Sequence, residues 1–81
     1  MTHHAGEVFP GVTVDPQVMH GKPVLTGTRI PVSLIVGQLA GGETFETLAR
    51  SYRVTDEQIR TALAYAAELV ASETVYAVSD S

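Results

Sequence analysis

Three histidines, His3, His4 and His20, and nine carboxylates are the side chains from which a metal or acid–base site would have to be built. No pair of the histidines has the i, i+4 spacing that puts two imidazoles on one helix face, and no carboxylate neighbours His20 in sequence. Asp56 and Glu57 are adjacent, so on a helix they diverge by about 100° and cannot work as an acid–base pair. Capping of a helix start accounts for both. The absence of cysteine excludes thiolate zinc sites, disulfides and a cysteine nucleophile. Gly21-Lys22 and Gly27-Thr28 lack the G-x-x-x-x-G-K-[ST] spacing that cradles a phosphate. The expectation is therefore a non-enzymatic protein, with no catalytic residue, no metal site and no cofactor.

The chemistry that remains is recognition. All five basic residues, Lys22, Arg29, Arg50, Arg53 and Arg60, fall between positions 22 and 60. Glu7, Asp15, Glu68, Glu73 and Asp80 lie outside that stretch without a positive neighbour, and the whole chain carries −4. An acidic protein is a poor non-specific polyanion binder, because neutralising phosphates takes a surplus of Lys and Arg. Any nucleic-acid contact must then come from the middle segment. There Arg50, Arg53 and Arg60 supply charge, and Thr55, Gln58 and Thr61 have base-edge or phosphate reach. Asp56 and Glu57 bring negative charge to the same place. A second candidate surface is apolar and acidic: Glu68, Glu73 and the run Val75, Tyr76 and Val78 suit a basic protein partner.

These groups must be positioned by a small frame. Eighty-one residues remove only roughly 60–65% of their extended-chain surface from water, so one core is possible and a partner chain would help it. Residues 1–11 read as a flexible start, broken at Phe9-Pro10-Gly11. Val12-Thr13-Val14 alternates with the strand period and ends at Asp15-Pro16; Val24-Leu25-Thr26 is β-favouring again. Together they predict a short β-ribbon within residues 12–31, with Gly27 at a bulge or tight turn. Helical spacing follows. Val32, Ile35, Val36 and Leu39 share one face, closed by Gly41-Gly42. Phe45, Leu48, Ala49 and Tyr52 repeat the spacing behind Thr44, an N-cap candidate. Thr55-Asp56-Glu57-Gln58 is a capping box, and it opens a third, alanine-rich helix reaching Ala71 or Ser72. On that helix Ile59, Leu63, Ala66 and Val70 line one side, with Ala62 and Leu69 beside them. The tail, 73–81, can be a flexible segment, a helix extension or a strand added to a partner.

The second and third helices are joined by a turn so short that they must cross sharply. Ala49 at the crossing, Val54 plugging the turn and Ile59 facing inward satisfy the demands of a helix-turn-helix. Arg53 occupies the turn position where glycine is commonest, which predicts another turn geometry. The same pattern also fits a plain three-helix core without DNA contact.

Asp15-Pro16, Gly21-Lys22-Pro23-Val24 and Gly27-Thr28-Arg29-Ile30-Pro31-Val32 carry a resemblance. With Thr44-Phe45-Glu46-Thr47-Leu48, Thr55-Asp56-Glu57-Gln58-Ile59 and Ala62-Leu63-Ala64-Tyr65-Ala66, the chain resembles the domain-of-unknown-function 433 family from about Val12 to Leu69. The resemblance implies a mainly α fold, an N-terminal β-ribbon followed by a homeodomain-like helix-turn-helix of three helices over residues 32–72. It also implies an antitoxin of the VapB class: a homodimer that blocks a PIN-like ribonuclease toxin and binds its own operator DNA. The alternative is an interaction and dimerisation module that does not touch DNA. Asp15, Gly27, Thr28, Arg29 and Pro31 form the structural motif, in which Arg29 pairs with Asp15 in a buried site, binds carbonyls or contacts a partner. No apolar run is long enough to span a membrane, and the start lacks the basic and apolar regions of a secretory signal. The expected location is the cytoplasm.

Overall fold

The computed structural model describes residues 6–72. Its first half is a small antiparallel sheet of three strands, β1 (Gly6–Phe9), β2 (Val12–Val14) and β3 (Val24–Leu25), in that spatial order. Val12 and Thr13 pair with Leu25 and Val24, the ribbon expected from the sequence. The strand before it was not expected. Gly6–Phe9, placed in a flexible start, pairs with Val14, Thr13 and Val12, with a bulge between Glu7 and Phe9. Two physical causes hold it there. Pro10-Gly11 makes a tight reversal, with Gly11 at φ 88°, a conformation that costs glycine little. The Phe9 ring then lies on Tyr65, centroids 5.5 Å apart and planes tilted by 57°. The fold is accordingly mixed α/β rather than mainly α.

Three helices follow. In α1 (Val32–Ala40) Pro31 stands at the N-cap, where a missing N–H costs nothing. At its other end Glu43 N–H donates to the Gln38 carbonyl and Gly42 N–H to that of Leu39, both at 3.0 Å. These are the paired bonds of a Schellman cap, with Gly42 at φ 102°. In α2 (Phe45–Tyr52) the Thr44 hydroxyl accepts from Thr47 N–H at 3.0 Å. The capping box of α3 (Asp56–Ser72) is reciprocal. Thr55 N–H donates to Gln58 Oε1 at 2.9 Å, and Gln58 N–H to Thr55 Oγ1 at 3.0 Å.

Between sheet and helices lies one core: Val12 and Leu25 from the strands, Val32 and Ile35 from α1, Leu48 from α2, Val54 from the turn, Ile59 and Ala62 from α3. The inward line of α3 differs from the expected one. Ile59 and Ala62 are fully buried and Tyr65 and Ala66 half-buried, whereas Leu63 and Val70 are exposed. Alanine made the two lines hard to separate, because it fits either side. The difference leaves Leu63 and Val70 at the exposed edge of the inward side. No described helix is long and apolar enough to cross a membrane.

Candidate functional site

The turn from α2 to α3 is three residues long, and its backbone departs from the sequence expectation. Arg53 itself adopts φ 58° and ψ 42°, the left-handed conformation that glycine favours, so the arginine did not force another conformation on the turn. Val54, 4% exposed, plugs the turn from below. The arginine side chain points to solvent, and Asp56 and Glu57 open α3 beside it.

The six residues assigned to nucleic-acid contact have different surroundings. Arg50 is exposed and lies 3.7 Å from Glu46 one turn earlier in α2, the only ion pair among the described residues. Arg60 stacks over the Phe45 ring, its guanidinium carbon 5.6 Å from the centroid. Thr55 and the Gln58 carbonyl oxygen are held by the capping box, which leaves the Gln58 amide NH2 as the open polar group. Thr61 is half-buried and packs under Gly11 in the β1–β2 turn, with the sheet rather than with the arginines.

The Gly27 to Pro31 block is a stapled turn. Gly27 sits at φ 80°, the Thr28 hydroxyl donates to the Leu25 carbonyl at 2.7 Å, and Ile30 N–H donates to Thr28 Oγ1 at 3.0 Å. Pro31 bridges to Val24. Arg29 does not enter a buried pair. It is exposed at the turn and has no carboxylate within ion-pair distance among the described residues. Asp15 instead accepts from Gln17 N–H at 2.8 Å, which fixes the Asp15-Pro16 bend locally. Beyond that bend Met19, His20 and Gly21 run through a left-handed turn at φ 50°, 58° and 81°. His20 is exposed there, and among the described residues no three His, Asp or Glu side chains gather as a metal site.

Of the candidate partner residues, Glu68 is exposed on the outer half of α3, and Glu73, Val75, Tyr76 and Val78 lie outside the described residues, as do His3 and His4. Sequence reasoning missed that three large apolar side chains of α3 are exposed. Leu63, Leu69 and Val70 are 36%, 47% and 69% exposed, three of the four large apolar side chains at the surface of the described residues. Their spacing alone could not reveal it, because Leu63 and Val70 share one helical line with the buried Ile59.

A family model described as "Protein of unknown function (DUF433)" matches residues 12–66. The chain belongs to the DUF433 family. The match covers β2 through Ala66 and leaves β1 and the last turns of α3 outside it. Among its relatives, a Mycobacterium tuberculosis protein named "Putative antitoxin VapB45" is 40% identical over 52 residues, 64% of this chain and 22% of the relative. Protein y4eO of Sinorhizobium fredii is 38% identical over 56 residues, 68% of this chain and 25% of that protein. The crystal structure of Rv2018 from Mycobacterium tuberculosis superimposes with a TM-score of 0.59 at 40% identity, over 64% of this chain and 24% of that one. The DUF433 chain thus spans about a quarter of the length of these relatives.

Proposed function

We propose that this DUF433 protein is the antitoxin of a type II toxin–antitoxin pair, a cytoplasmic, non-catalytic homodimer that binds and neutralises a PIN-like ribonuclease. The observation that carries the reading is the 40% identity to a protein named as an antitoxin, over 52 residues. Surface chemistry supports it: three large apolar side chains and Glu68 stand exposed along one helix, as suits a protein partner. The acidic net charge complements a ribonuclease, whose RNA-binding cleft must be basic. The test is coexpression with the product of the neighbouring reading frame, expected to be a PIN-like nuclease. The two chains should copurify and the RNA cleavage should cease. Undiminished cleavage with the antitoxin in several-fold excess, or a neighbouring frame that encodes no nuclease, overturns the reading.

A second reading, operator binding by α2 and α3, has one observation in its favour: the short turn with Arg53 in the left-handed conformation, as a helix-turn-helix needs. The side chains favour it less. Asp56 and Glu57 stand where α3 would enter a major groove, Arg50 and Arg60 are engaged within the chain, and Thr61 faces the sheet. In the reading preferred here the α2–α3 unit is a scaffold for protein contacts.

A further inference from the structure

We draw no further inference here: the strongest candidate, the exposed apolar patch of Leu69 and Val70 on the last turns of α3, carries nothing because nothing in the structure shows what covers it.

Discussion

The methyl group of Thr61 fills the space a side chain on Gly11 would need: a Cβ built there comes within 2.8 Å of Thr61 Cγ2. The turn of the first hairpin is thus closed directly onto α3, and Gly11 also holds φ 88°. Two penalties coincide in Gly11→Ala, a left-handed alanine and a steric conflict. The loss should be about 2 kcal/mol in denaturant unfolding. Thr61→Ala in the same chain should recover the steric part only. Additive losses in the double variant would show that the two residues do not share this space.

Arg53 carries a related strain without the glycine. Its φ of 58° and ψ of 42° cost an L-residue about 1–2 kcal/mol, of which glycine's greater unfolded freedom returns part. Arg53→Gly should therefore raise stability by about 0.5–1 kcal/mol. An unchanged or lowered midpoint would mean that the arginine side chain contributes interactions that offset the strain.

The helices were legible in the sequence and the first strand was not, for the same reason. Thr44, Thr55-x-x-Gln58 and Gly42 act on neighbours within a turn, so their chemistry is readable locally. Strand β1 is fixed by Phe9 on Tyr65, a contact more than fifty residues away in sequence, and its Pro10-Gly11 turn read as a break. Of the readings open for Arg29, the buried pair with Asp15 does not form; Asp15 instead accepts from Gln17 N–H two residues away. On α3, Leu63 and Ile59 fit one helical line equally well. Only the position of the sheet decides which of them is covered.

The corrected facing of α3 predicts a sharp contrast among leucine-sized positions. Leu48 and Ile59 are 1% and 0% exposed, so truncating either to alanine should cost about 2–5 kcal/mol. Leu63→Ala, at a site 36% exposed, should cost only about 1 kcal/mol, and Val70→Ala, at 69% exposed, no more than about 0.5 kcal/mol. Equal losses at Ile59 and Leu63 under dilute conditions would restore the line first read from the sequence.

The capping box gives a local prediction. Thr55→Ala removes the acceptor for Gln58 N–H and should cost about 1 kcal/mol. Gln58→Ala frees Thr55 N–H to water at an exposed site and should cost less. Because each side chain holds the other residue's backbone, the double variant should lose less than the two single losses together. Chemical denaturation of the four proteins measures the coupling.

Operator binding offers the clearest separation between the two uses of α3. Phosphate attraction in the α2–α3 region can come only from Arg50, Arg53 and Arg60, since no other cation follows Thr44. Each phosphate neutralised contributes about −0.9 to the slope of log K against log salt. Three arginines working together would give a slope near about −3 per chain, and their replacement by alanine would flatten it. Arg50 lies beside Glu46, Arg60 lies over Phe45, and Asp56 and Glu57 repel phosphates at the helix start. The expected outcome is therefore weak binding of promoter DNA in fluorescence anisotropy, with a slope well short of that value and no preference over scrambled sequence. Neutralisation of the nuclease should survive the triple replacement at a concentration that keeps the dimer formed. Tight, sequence-selective binding that the triple replacement abolishes would place α3 in the groove and favour the operator-binding reading.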